Sequence, residues 1–263
     1  MAGEGVSELA GRVAIVTGAA QARSIGRGIA ISLAERGADV VINDIAHDEE
    51  AADRTAEIEA LGRRSAYLPG DVADPSDCQR LVAETVSRLG RLDIFCANAG
   101  VARWQELADV TPEAFELIVA VNLHGCFFAC QAAAAQMRRQ GDGGRIIVTS
   151  SVNAVMPHRT LGVYGATKHA VAHLVSVMAR EWAADGITVN HVGPGWVQSN
   201  INDPSPDFAT EEKRAAARAS VPLEHRATEP REIGAAVAYF ASPDARHTTG
   251  AFLRVDGGMV IGK

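Results

Sequence analysis

Arg12-Val-Ala-Ile-Val-Thr17 runs without a break into Gly18-Ala-Ala-Gln-Ala-Arg-Ser-Ile-Gly-Arg-Gly-Ile-Ala30. The first six residues are an apolar run of strand length, and such runs mark strands covered on both faces. Ile25, Ile29 and Leu33 then fall at i, i+4 and i+8, on one face of a helix. The glycines between strand and helix allow a tight turn. They also let the backbone come close to a pyrophosphate held at the positive helix N-terminus. Asp44 follows the next apolar run, 18 residues beyond Gly26, where a carboxylate accepts hydrogen bonds from an adenosine ribose.

From this opening the alternation continues. Strands are expected at Arg12–Thr17, Asp39–Asn43, Ser65–Leu68, Leu92–Ala97, Gly144–Thr149, Thr188–Val192 and Phe252–Val255. Between them, Ala51–Leu61, Ser76–Leu89, Tyr164–Ala184 and Pro230–Ala241 read as helices, and Thr111–Gln140 as mostly helix. The pattern predicts an α/β fold, one doubly wound Rossmann-type domain over residues 1–263. Its parallel sheet of about seven strands carries helices on both faces. Gln198–Leu223 breaks the rhythm, with Pro204, Pro206 and Pro222 around the helical piece Glu211–Ala219, and reads as a substrate lid within the domain.

The 263 residues carry a net charge of −7, with 47% hydrophobic and 22% charged residues, the balance of a chain that buries a large core rather than a disordered one. The acidic balance argues against a nucleic-acid partner. Unbroken apolar runs such as Val119–Val121 and Ala132–Ala135 are far shorter than a bilayer span, so no membrane association is expected. The first residues lack the pattern of a secretory signal. Cys78, Cys96, Cys126 and Cys130 form no Cys-x-x-Cys pair and read as buried free thiols, which places the chain in the cytoplasm. No metal site is expected: His169 and His173 stand four apart on a helix, with no acidic residue following to complete a set.

Tyr164-Gly-Ala-Thr-Lys168 opens a helix, and a spacing of four puts both side chains on one face. Bringing a tyrosine from a pKa of roughly 10 to near 7 takes about 4 kcal/mol, part of which a nearby ammonium supplies. Ser151, 13 residues earlier at a strand end, is placed to hold a carbonyl oxygen. With these residues the sequence resembles the short-chain dehydrogenase/reductase family, in its Tyr-x-x-x-Lys branch. The resemblance covers nearly the whole chain. It rests on Thr17-Gly18, Gly70-Asp71-Val72, Asn98-Ala99-Gly100, Asn122, Ser150-Ser151, Tyr164 with Lys168, Pro194-Gly195 and Val255-Asp256-Gly257-Gly258.

The resemblance implies hydride transfer between a nicotinamide cofactor and a secondary alcohol or ketone. Tyr164 would pass the proton, Ser151 would hold the alcohol oxygen, and Lys168 would bond the nicotinamide ribose and lower the tyrosine pKa. Asn122 would hold a relay water. Gly18, Arg23, Ser24, Ile25 and Gly26 would meet the pyrophosphate end, and Asp71 and Val72 would flank the adenine. Asn98, Gly100, Pro194 and Gly195 would run along the cofactor, and Val197 with Ser199 would meet the carboxamide. In the first turn two extra residues intervene and Ser24 replaces the second glycine, as in the divergent enoyl-reductase branch. That branch, however, spaces its tyrosine and lysine wider than four.

Asp44 favours NAD, while Arg23 opens the alternative of NADP through a 2′-phosphate contact. Asn153, His158 and Trp196 are the expected substrate contacts, with Trp104, Asn202 and Met259 in neighbouring loops. Ser151-Val-Asn, Met156-Pro-His and Asp256-Gly-Gly-Met259 look most like sugar (glucose-type) dehydrogenases, so a sugar or polyol is the expected substrate. A 3-oxoacyl-(acyl carrier protein) reductase is the alternative, with Arg103, Arg159 and Lys213-Arg214 as its only basic patch. From other classes come a catalytically silent cofactor-binding sensor and a scaffold protein. The family also implies a homotetramer, paired through Thr111–Gln140, Tyr164–Ala184 and the final strand.

Overall fold

The computed structural model describes residues 7–45, 48–203, 205 and 208–261. Seven strands, β1 (Val13–Thr17), β2 (Asp39–Asp44), β3 (Ser65–Pro69), β4 (Ile94–Ala97), β5 (Gly144–Thr149), β6 (Ile187–Pro194) and β7 (Phe252–Val255), form one parallel sheet in the order β3-β2-β1-β4-β5-β6-β7. The helices are α1 (Ile25–Glu35), α2 (Asp48–Ala60), α3 (Pro75–Leu89), α4 (Pro112–Val119), α5 (Cys126–Gln140), α6 (Gly162–Trp182), α7 (Glu211–Ala219) and α8 (Pro230–Ala241).

Successive strand side chains point to opposite faces, and the apolar runs fill both. Ala14, Val16, Val40, Ile42, Ile94 and Cys96 pack into the layer that holds Ile29 and Leu33 of α1 with Ile233 and Val237 of α8. Ile15, Val41, Phe95, Ile146 and Val148 pack on the other face with α3, α5 and α6. On the first face α1 and α8 cross where neither has a side chain to keep them apart. A Cβ on Gly28 would lie 2.3 Å from the Pro230 carbonyl oxygen, and one on Gly234 would lie 2.3 Å from that of Gly28.

Element edges differ from expectation by a few residues. The Asp48-Glu49-Glu50 start of α2, favoured by the helix dipole, extends it ahead of Ala51. Gly162 and Val163 extend α6 ahead of Tyr164, and β6 runs on to Pro194. Thr111–Gln140 is not one regular helix: Ala120–Gly125 forms a π-helical turn between α4 and α5. This stretch is also more apolar overall than its unbroken runs suggest. Pro112–Gln140 is long and apolar enough to cross a bilayer, which unbroken runs did not register because Glu113, Glu116 and His124 punctuate it. Here Ala129, Cys130, Ala133, Ala134 and Met137 pack it into the second core layer. Pro204 and Pro206 of the expected lid lie outside the described residues.

His191 of β6 is buried, stacks on Phe252 of β7 at 4.4 Å between ring centroids, and has no hydrogen-bond partner for Nδ1. Burial lowers its pKa to about 4. The unfolded chain takes up that proton near pH 6.5, so it binds more protons than the folded chain between these values, and stability falls as the pH drops from 6.5 to 4. Chemical denaturation at pH 7 and 4.5 is expected to show His191→Leu losing roughly 2–3 kcal/mol less over this interval than the unmodified protein. Equal losses would remove His191 as the cause.

Candidate active site

At the point where strand order reverses, between β1 and β4, the C-terminal ends of the strands open into a cavity of about 740 Å³. Thr17 and Asn98 tie the two strand ends together. The Thr17 hydroxyl oxygen accepts from the backbone N–H groups of Asn98 and Ala99, both at 3.0 Å, and Asn98 Nδ2 donates to the Thr17 carbonyl at 2.9 Å. Asn98 lines the cavity, but its amide is committed to this tie. Gly18, at φ +65°, has no room for a side chain, since a Cβ would come within 2.9 Å of Ala99 Cα. Ser24 caps α1, its hydroxyl accepting from Arg27 N–H at 3.0 Å.

Gly18, Ser24, Ile25, Asp44, Asp71 and Val72 line one end of the cavity. The Asp44 carboxylate accepts from the backbone N–H of Ala20 at 3.1 Å and of Ile45 at 2.9 Å, which fixes it at the mouth of the glycine turn. Gly100, Pro194, Gly195, Val197 and Ser199 continue the wall towards Ser151, Tyr164 and Lys168. Asn153, His158 and Trp196 line it beyond them, together with Trp104 and Met259.

Ser151 caps the short turn Val152–Ala154, its oxygen accepting from Asn153 N–H at 3.1 Å. Its hydroxyl is hydrogen-bonded to Tyr164. Lys168 is buried and donates to the Thr149 carbonyl at 2.9 Å, with Nζ 5.5 Å from the Tyr164 ring centroid. Burial pushes the Tyr164 phenol up to about 12, the Ser151 bond pulling the other way, and burial brings Lys168 down to about 8. Burial is the larger of the two effects on Tyr164, so the phenol is neutral at pH 7.

Three expected site residues stand back from the cavity wall. Gly26 packs under the turn, where a Cβ would lie 2.2 Å from the Gly18 carbonyl oxygen. Arg23 pairs with Asp203 rather than facing the ribose end. Asn122 gives its amide to Val101, accepting from the N–H and donating to the carbonyl at 2.8 Å each. Among the described residues no group of three His, Cys, Asp or Glu is placed to bind a metal, and His169 Nδ1 lies 2.8 Å from the Ala154 carbonyl. The cysteines are free thiols. Sequence reasoning missed Gln21, and Phe208, whose ring stacks on Trp196 at 5.0 Å. A stacked aromatic across an irregular loop leaves no periodic signal.

The residues present fit a dinucleotide. Glycines leave the turn without side chains, a carboxylate stands at the mouth of that turn, and the Ser199 hydroxyl oxygen on the cavity wall is buried with no hydrogen-bond partner.

 

Residues 18–260 match the family model described as Enoyl-(Acyl carrier protein) reductase. The chain is 40% identical over 253 residues to L-rhamnose 1-dehydrogenase (NAD(P)(+)) of Sphingomonas sp. (strain SKA58), covering 96% of this chain and 98% of that one. It is 35% identical over 252 residues to glucose 1-dehydrogenase of Gluconobacter oxydans (strain 621H), covering 96% and 93%. Among solved structures it superposes on carveol dehydrogenase from Mycobacterium avium in complex with NAD, with a TM-score of 0.89, 30% identity and coverage of 96% and 98%. With the Tyr164–Lys168 spacing of four and the β3-β2-β1-β4-β5-β6-β7 sheet, these matches establish that the chain belongs to the short-chain dehydrogenase/reductase family.

Proposed function

We propose that this protein is an NAD-preferring dehydrogenase acting on the secondary alcohol of a sugar or polyol. The observation that carries the reading is the meeting of Ser151, Tyr164 and Lys168 on the wall of one cavity whose other end presents the Asp44 carboxylate. The nicotinamide cofactor, when bound, supplies or accepts the hydride. The residues of the chain handle the oxygen and its proton. The Ser151 hydroxyl holds the substrate oxygen, and the Tyr164 phenol, neutral at pH 7 with its pKa near 12, donates a proton to that oxygen in the reductive direction. In the oxidative direction the phenolate takes the proton back, and the Lys168 ammonium favours that charged form. Lys168 would also hold the nicotinamide ribose, and Ser199 would hold the carboxamide.

Asn122 acts through its backbone in this scheme, because its side chain is committed to Val101. The π-helical turn Ala120–Gly125 departs from the regular helical ladder at that residue, a feature that recurs at functional sites. The sugar reading is supported by the relatives that act on rhamnose and glucose, and by Asn153, His158 and Trp196 on the substrate side of the cavity. Of the expected lid, α7 contributes Lys213, Ala216 and Ala217 to the cavity wall, and we assign it the task of covering the substrate. The exposed apolar side chains Phe115 and Leu117 of α4, Val177 of α6 and Leu253 of β7 fit a homotetramer paired through those elements. A cytoplasmic location fits the free thiols.

Tyr164→Phe is expected to leave the fold and cofactor binding intact and to cut turnover by roughly 10²–10⁴. Near-full activity in that variant would refute the proton role. A panel of aldoses, polyols, cyclic ketones and acetoacetyl thioesters, assayed with both cofactors, tests substrate and cofactor together. The highest kcat/KM is expected for an aldose or polyol, and a thioester at the top would favour the 3-oxoacyl reductase alternative. Asp44 repels a 2′-phosphate, so kcat/KM with NAD is expected to exceed that with NADP by at least about tenfold, or roughly 1.4 kcal/mol. Asp44→Ala is expected to narrow the gap. A preference for NADP in the unmodified protein would overturn the assignment of Asp44.

A further inference from the structure

The first turn is two residues longer than the family pattern, and the enlarged turn reaches another wall of the cavity. Gln21 Oε1 accepts a hydrogen bond from Asn200 Nδ2 at 2.9 Å. The Arg23 carbonyl accepts from the Asn200 backbone N–H at 3.3 Å, and the Arg23 guanidinium pairs with Asp203. The segment they hold is short, and among the described residues its other backbone ties run to its neighbours in sequence, Val197 and Ser205. Asn200–Asn202 is a single 3₁₀ turn, and Asn202 Nδ2 donates to the Val197 carbonyl at 2.7 Å. Ser199, with its unpartnered buried hydroxyl oxygen, immediately precedes that turn. Gln21 and Asn200 both line the cavity, so the contacts join the wall of the glycine turn to the wall that carries Ser199.

We propose that Gln21 and Arg23 are positioning residues that clasp residues 199–203 onto the glycine turn, closing a strap over the pyrophosphate end of the cofactor and holding Ser199 in place. This rests on the dinucleotide reading above. It gives Arg23 a different task from a 2′-phosphate contact, because the guanidinium already has a carboxylate partner. A clasp acts on whichever cofactor lies beneath it, whereas a phosphate ligand acts on NADP alone. Both partners of the ion pair are more than half exposed, at 56% and 54%, so each single removal has a modest effect.

The test is the dissociation rate of NADH and of NADPH, followed by stopped-flow fluorescence during displacement by excess oxidised cofactor. Arg23→Ala and Asp203→Ala are each expected to speed release about two- to fivefold for both cofactors. The Gln21→Ala/Asp203→Ala double variant is expected to release faster than either single variant of that pair. Restoration of slow release by the charge exchange Arg23→Asp/Asp203→Arg supports the clasp over a general loss of structure. Unchanged NADH release in the single and double alanine variants would overturn the clasp, as would an Arg23→Ala effect confined to NADPH. Absence of NADH binding to the unmodified protein would overturn the dinucleotide reading and the clasp together, so the two failures are distinct.

Discussion

The close approach of backbone to backbone at the first turn is the constraint on which the site depends. Gly26 at the start of α1 lies against Gly18 at the end of β1, so near that a Cβ would stand 2.2 Å from a carbonyl oxygen. With a side chain there, the helix would have to withdraw from the strand end. Its N-terminus, the positive end of the helix dipole, would withdraw with it. The same economy of side chains recurs where α1 crosses α8 through Gly28 and Gly234. Thus two glycines of the turn serve packing, and the surface offered to a ligand comes from Gly18, Ser24 and Ile25.

Much of this was legible in the sequence because it rests on local periodicity. The apolar runs of β1, β2 and β5 announced strands buried on both faces, and the cores on the two faces of the sheet follow from their alternation. Ser151, Tyr164 and Lys168 meet as their spacing and strand-end placement implied. What stayed hidden depends on contacts between distant segments. Arg23 looked like a cofactor residue by position, yet Asp203, 180 residues away, claims its charge. Nothing in the spacing of Asn122 announced that its amide would bond both ends of the Val101 peptide unit. Gly26 was correctly placed in the turn but serves its closeness rather than the cavity surface.

Electrostatics separate the two ends of the cavity. Asp44 and Asp71 are the carboxylates on its wall, both at the end assigned to the adenosine half, while the reacting end holds a neutral phenol and a buried ammonium. Desolvation raises Tyr164 and lowers Lys168, which moves the two apart in proton affinity and keeps the phenol protonated at neutral pH. A phenol that holds its proton at neutral pH suits the donor role proposed for Tyr164.

The central claim is that a hydride passes directly between the carbinol carbon of a secondary alcohol and a nicotinamide held in this cavity. The most direct measurement uses L-rhamnose and D-glucose, each deuterated at C1, with mass spectrometry of the reduced cofactor. The account predicts one deuterium per molecule of NADH formed, and none released to water. Reduced cofactor without deuterium, or label washed into solvent, would contradict it.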